Sequence, residues 1–237
     1  MFGWRGRIGL IIPSSNTTME GEFAKHLPLG VSLHVARIPL KEVTVAGLEE
    51  MNKLVCSAAQ SLVDAGVDVI VYGCTTGGLL FGVEYMRALT HQLEKTTGLP
   101  IVVTAQAVVD FMKAKGAQKI VIATPYIEEI NQKEKEFMQN NGFEVLAIQG
   151  LGLKDNLEIG RQEPYVAYNL GKTLLKEYPQ ADLLFISCTN FRTFGILNIL
   201  ANDLQKPAVS SNQATLIQTL RVLKLSESVI KDVVSQL

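Results

Sequence analysis

The chain has 237 residues, 47% apolar and 19% charged, with a formal net charge of −1. That length bounds one large domain or two of about 100–150 residues, each with its own core. The near-neutral charge and the lack of a basic tract exclude binding driven by phosphate neutralisation, so nucleic acid is not an expected partner. The first apolar run, Ile8 to Ile12, is too short for the core of a secretion signal. No apolar stretch approaches the ~20 residues of a membrane helix. A cytoplasmic protein with no membrane partner is expected. Three cysteines without a C-x-x-C pair argue against a disulfide scaffold or a zinc site.

In chain order, "RIGLIIPS" (Arg7–Ser14) is a β-branched apolar run closed by a proline turn, and it reads as a buried parallel strand. Met19, Phe23 and Leu27 follow at helical spacing, with Thr17 and Glu20 in a capping-box pattern at the helix start. Leu48, Met51, Val55 and Leu62 mark another amphipathic helix, with Cys56 inside it. "DVIVYGCTT" (Asp68–Thr76) reads as a strand that ends at Cys74. "PIVVTAQA" (Pro100–Ala107) contains a further short strand. "KIVIATPY" (Lys119–Tyr126) is again a strand, and Thr124-Pro125 suits an N-cap followed by proline at the first helical position. The glutamates of 128–136 read as a solvated helix face, and "NNG" at Asn140–Gly142 as a helix stop. "DLLFISCTN" (Asp182–Asn190) is a strand ending at Cys188, "PAVSSNQA" (Pro207–Ala214) another, and "TLIQTLRVLKL" closes the chain as helix.

These segments repeat. Arg7–Ser14 resembles Lys119–Tyr126, Asp68–Thr76 resembles Asp182–Asn190, and Pro100–Ala107 resembles Pro207–Ala214, at offsets of 112, 114 and 107 residues. In the second pair Asp stands six residues before Cys, and the third pair fits P-x-V-x-[ST]-x-Q-A. Three matches in one order at nearly one offset indicate duplicated halves. Strands alternating with helices give an α/β fold with parallel sheets. The expected architecture is two Rossmann-like halves related by a pseudo-twofold, with the active site in the cleft between them. The N-terminal half is 1–113, with 216–237 as the segment that would complete it. The C-terminal half is 114–215.

Ligands of open parallel sheets bind beyond the carboxyl ends of the strands. Cys74 and Cys188 lie there, as do Asn16 and Tyr126. Predicted helix starts after both cysteines offer amides and hydroxyls, from Thr75 and Thr76 on one side and Thr189 on the other. A helix dipole would lower a thiol pKa from ~8.5 towards neutrality. Two such thiols with two anion-binding turns suit a small carboxylate or dicarboxylate. The candidate chemistry is proton abstraction beside a carboxylate or thiolate addition to an activated alkene. Asn16 serves equally well as a helix cap, and Tyr126 as a packing residue. Cys56 reads as core. His26, His34 and His91 have no metal-ligand spacing.

The duplicated halves, each with a cysteine after a strand, resemble the aspartate/glutamate racemase superfamily. Within it, "GLIIPSSNTTME" (Gly9–Glu20), "GCTT" (Gly73–Thr76), "DNLEIGR" (Asp155–Arg161) and "SCTN" (Ser187–Asn190) look most like the maleate cis-trans isomerase family. Glutamate racemases carry D-S-G after the first strand and a His after the second Cys-Thr. Here Pro13-Ser14-Ser15-Asn16 and Asn190 stand in those places. Arylmalonate decarboxylases are similar but lack the first cysteine. The resemblance implies that Cys74 adds as thiolate to maleate and that Cys188 delivers a proton. It implies that Asn16, Tyr126 and Asn156 hold the carboxylates, completed by Thr75, Thr76 and Thr189. It implies no metal, flavin or nicotinamide, and a homodimer. Another superfamily activity, by a two-cysteine racemase or a decarboxylase, and a small-carboxylate binding module are the competing readings.

Overall fold

Strand interiors such as Ile8–Ile12 and Ile120–Ala123 are apolar at successive positions, so both faces of their sheets need cover and helices supply it. The computed structural model describes residues 2–237. The first part holds β1 (Gly6–Pro13), α1 (Met19–His26), β2 (Val31–Ile38), α2 (Val45–Asn52), α3 (Val55–Val63), β3 (Val69–Tyr72), α4 (Thr75–Leu79), α5 (Gly82–Thr97), β4 (Ile101–Val103) and α6 (Thr104–Ala114). The second holds β5 (Lys119–Tyr126), α7 (Glu128–Asn140), β6 (Glu144–Leu153), α8 (Asn156–Arg161), α9 (Pro164–Glu177), β7 (Leu183–Ile186), α10 (Leu197–Leu204), β8 (Ala208–Ser210), α11 (Ser211–Val222) and α12 (Glu227–Ser235). The strands form two four-stranded sheets, ordered β2-β1-β3-β4 and β6-β5-β7-β8, with every pairing parallel. One order is thus used twice, and the two-sheet α/β fold read from the sequence is the fold observed.

The repeated residues do repeated jobs. The Asp68 carboxylate accepts from the Arg7 amide at 2.7 Å, and the Asp182 carboxylate accepts from the Lys119 amide at 2.7 Å. Each Asp therefore pins the start of the central strand to its neighbour. The [ST] of the third motif starts a helix on each side, Thr104 in α6 and Ser211 in α11. These two helices pack on each other, and the Thr215 hydroxyl donates to that of Thr104 at 3.1 Å. Helix α11 runs unbroken through position 215, and Leu223 beyond it lies against Gly6 at the start of β1.

Four local expectations change. Pro125 lies inside β5, and α7 starts only at Glu128. The β5–β6 ladder is irregular between Thr124 and Tyr126, which accommodates a residue with no N–H to give. Thr17 does not cap α1: Asn16 Oδ1 accepts from the Thr18 and Met19 amides at 3.0 Å each, and Glu20 pairs with Arg37. The Leu48–Leu62 stripe is shared by two helices with a turn at Lys53-Leu54. Glu134 is not solvated: it stands at the helical spacing of Ile130, Phe137 and Met138 and is buried with them. No helix among the described residues is long and apolar enough to cross a membrane.

Candidate active site

The carboxyl ends of the central strands of both sheets meet in one cavity. Pro13, Asn16, Leu40, Val43, Cys74, Thr75, Thr76, Tyr126, Asn156, Cys188 and Thr189 line it. All eight residues singled out from the sequence are therefore brought together. The larger surface hollow beside Cys56, Phe81 and Tyr85 gathers no second thiol.

Cys74 leaves β3 in extended backbone and caps α4. Its sulfur accepts from the Gly77 amide at 3.3 Å and lies 3.7 Å from the Thr76 hydroxyl. Glycine at 77 is required by close approach, because a methyl there would meet the Tyr72 hydroxyl and Met51. That hydroxyl donates to Asn52 Oδ1, and Asn52 Nδ2 donates to the Gly77 carbonyl at 2.9 Å. Burial raises the Cys74 pKa. The Gly77 amide, the Thr76 hydroxyl and amide, and the Tyr72 hydroxyl oppose it by stabilising the thiolate.

Cys188 was expected to precede a helix as Cys74 does, but the chain stays irregular until α10 at Leu197. Its φ is 102°, in the left-handed region, which costs a non-glycine residue about 1–3 kcal/mol unless neighbours hold it. The holders are visible. The Cys188 amide donates to Ser211 Oγ at 3.1 Å, and the Asn190 amide donates to Cys188 Sγ at 3.3 Å. Burial pushes this thiol up to about 12. The Tyr126 hydroxyl and Asn190 amide oppose the rise, and negative charge at Cys74 and Glu134 adds to it. Neither thiol is lowered towards neutrality as a helix dipole alone would imply. The loss of water outweighs the donors at both.

Polar bonds tie the two cysteine turns together. The Thr75 hydroxyl donates to Ser211 Oγ at 2.9 Å, so Ser211 joins Thr75 to the Cys188 amide. Asn16 Nδ2 donates to Thr189 Oγ1, which donates to the Gly73 carbonyl, both at 3.1 Å. Asn156 Nδ2 donates to Ser15 Oγ at 2.8 Å. The loops after β2 and β6 also cross, with the Val43 amide on the Lys154 carbonyl and the Asn156 amide on that of Lys41. The Asn16 and Asn156 side-chain amides each have a second N–H that these bonds do not use. The cavity itself has about 10 Å³ open to water, room for roughly one molecule, so a ligand must widen it.

Sequence reasoning missed several groups that shape the site. Ser211 sits in the repeated P-x-V-x-[ST]-x-Q-A motif, which could have marked it. Leu40 and Val43 come from a loop without any motif. Glu22 accepts from the Thr193 and Phe194 amides and from Asn212 Nδ2, which also donates to the Thr189 carbonyl. It braces the Cys188 loop from α1, and nothing local announced that.

The chain is similar to known proteins over most of its length. The family model described as arylmalonate decarboxylase matches residues 8–232. The maleate isomerase of Geobacillus stearothermophilus is 30% identical over 92% of this chain and 92% of its own. Among solved structures, a cysteine-to-alanine variant of the Pseudomonas putida S16 maleate isomerase with maleate is 26% identical, with a TM-score of 0.87 over 93% of this chain and 92% of that one. A cysteine-to-serine variant of the Nocardia farcinica maleate cis-trans isomerase, with a covalently bound succinylcysteine intermediate, has a TM-score of 0.88 at 23% identity, covering 93% of each chain. The match across nearly all of its sequence, together with the shared two-sheet architecture, establishes that the chain belongs to the arylmalonate decarboxylase family.

Proposed function

We propose that the chain is a cofactor-independent maleate cis-trans isomerase. The observation that carries this reading is the pair of buried thiols, one from each sheet, lining one cavity with Asn16, Tyr126 and Asn156. An alkene between two carboxylates needs a nucleophile on one carbon and an acid for the other. The Cys74 sulfur, with the richer set of donors, attacks as thiolate and forms a C–S bond. The π electrons move to the neighbouring carbon, which takes the proton of the Cys188 thiol. The former double bond is now single and rotates. Cys188 then regains its proton, the C–S bond breaks and fumarate leaves. The carbon–sulfur bond is of the kind named for the Nocardia protein. Asn16, Asn156 and Tyr126 hold the carboxylates through their N–H and O–H groups, and Thr75, Thr76 and Thr189 complete the clamp. Both carboxylates would lie among fixed dipoles rather than water, which favours charge developing at the reacting carbons.

Decarboxylation of a substituted malonate is the second reading, favoured by the family match. It would use the Cys188 side and leave Cys74 without a task. Incubation with maleate under reducing conditions, followed by proton NMR, should show fumarate appearing. No fumarate, with carbon dioxide released from an arylmalonate, would decide for the decarboxylase.

A further inference from the structure

Helix α7 packs on β5 and β6, and two polar side chains of its inner face are buried. Asn131 accepts from the Thr124 hydroxyl at 2.6 Å, two residues before Tyr126. One turn on, Glu134 is 0% exposed and neither carboxyl oxygen has a hydrogen-bond partner. The Ser187 hydroxyl, itself buried without a hydrogen-bond partner, favours the charged form of the carboxyl, and Ser187 immediately precedes Cys188. A carboxyl buried this way weakens the fold relative to an apolar side chain of similar size. The packing therefore gives no reason for a glutamate, and the location does. Helix α7 packs on β5, the strand that ends in Tyr126, and a charge on Glu134 is felt at both Tyr126 and Cys188.

The surrounding charges leave Glu134 uncompensated. Helix α4 has no titratable side chain, and β6 has only Glu144, exposed and near Lys119 of β5. Helix α5 carries Glu84, Arg87, His91, Glu94 and Lys95 on the surface and the half-buried Tyr85. On α7 itself, Glu128, Glu129, Lys133 and Glu136 are exposed and Lys135 half-buried. Tyr126 of β5 and Cys188 after β7 are the buried titratable groups that sense Glu134.

We propose that Glu134 is an electrostatic positioning residue that strengthens the hold of Cys188 on its proton, acting through space from behind the site and never touching substrate. Burial raises its own carboxyl to about 7, so it gains charge around neutral pH. Once charged, it disfavours a second negative charge at Cys188 or Tyr126. Its value to the reaction rests on the isomerase reading, in which Cys188 must hold a proton while Cys74 does not. Its effect on the thiol does not.

The test is the pH dependence of Cys188 alkylation by iodoacetamide in the full chain carrying Cys56→Ser and Cys74→Ser. Without Glu134→Gln, the plot of log rate against pH should rise with pH but step onto a lower parallel line near pH 7, seen as a shoulder. With Glu134→Gln added the step should vanish, and the ratio of the two rates should rise from about one below pH 6 to about three- to tenfold above pH 8. Glu134→Asp should restore the step. A ratio independent of pH, including one, overturns the proposal, because altered access or packing scales all rates alike. Loss of the step in Glu134→Asp as well overturns it in favour of shape. If Glu134→Gln does not fold, the parent profile decides, and a profile without the step overturns the proposal. Fumarate formation plays no part in this readout, so failure of the isomerase reading would be recognised separately.

Discussion

The turns at Cys74 and Cys188 occupy equivalent places in two sheets of the same strand order, yet they treat their sulfurs differently. Cys74 has extended backbone and starts a helix, so amides converge on it. Cys188 has a φ of 102°, no helix follows, and one backbone amide reaches its sulfur. Both are buried, so the cost of removing water from a thiolate applies to both. The number of donors then separates them. The repeated halves supply two thiols, and a helix start directly after only one of them makes them unlike.

The largest test of that difference is removal of each thiol. Cys74→Ala and Cys188→Ala should each lower maleate turnover by at least about 10³-fold. Intact mass after incubation with maleate separates the roles. The Cys188→Ala protein keeps the thiol proposed to attack and should carry an adduct slowly protonated from solvent, while Cys74→Ala should carry none. The reverse pattern would exchange the assignments.

Next in size is the effect of Glu134 on stability. An ordinary glutamate titrates near 4.5, whereas this one holds its proton to about 7 in the folded chain. Between those values the folded state binds more protons than the unfolded one, so stability falls as pH rises through the window. Each tenfold difference in proton affinity is worth about 1.4 kcal/mol. The unfolding free energy of the parent minus that of Glu134→Gln should therefore drop by up to about 3 kcal/mol between pH 4.5 and 8. Urea denaturation at several pH values measures it, and a flat difference would place the carboxyl in contact with water.

Ser211→Ala should cost about 1–3 kcal/mol in urea unfolding, because the buried Cys188 amide loses its acceptor. It should change Cys188 alkylation more than Cys74 alkylation; equal changes would mean that the two turns move as one unit. The smallest effect is expected from Asn16→Ala. Loss of the α1 cap should cost about 1 kcal/mol. The KM for maleate should rise more than kcat falls, and an unchanged KM would remove Asn16 from the carboxylate clamp.

Much of this was legible along the chain. Apolar runs such as Ile8–Ile12 and Leu183–Ile186 are too continuous for a half-solvated strand, so they dictate parallel sheets covered on both faces. Strand ends place Cys74, Cys188, Asn16 and Tyr126 at one edge of each sheet whatever the details of packing. Asn156, in contrast, entered through likeness to known sequences. Thr17 and Thr124-Pro125 misled because local capping signals compete with ladders and with side chains from elsewhere: Asn16 took the α1 amides, and β5 continued through Pro125.

The sequence by itself determined the two sheets, the repeated Asp and [ST] anchors, and the pairing of two thiols, because strand period and strand ends are local properties. Only the tertiary structure decided how each thiol is treated. Thr75 meets Ser211 across 136 residues, Glu22 braces the Cys188 loop across 171, and Glu134 is buried by strands that its own charged stretch does not announce. A thiol's proton affinity depends on the donors and charges gathered around it in space, and these come from both sheets at once.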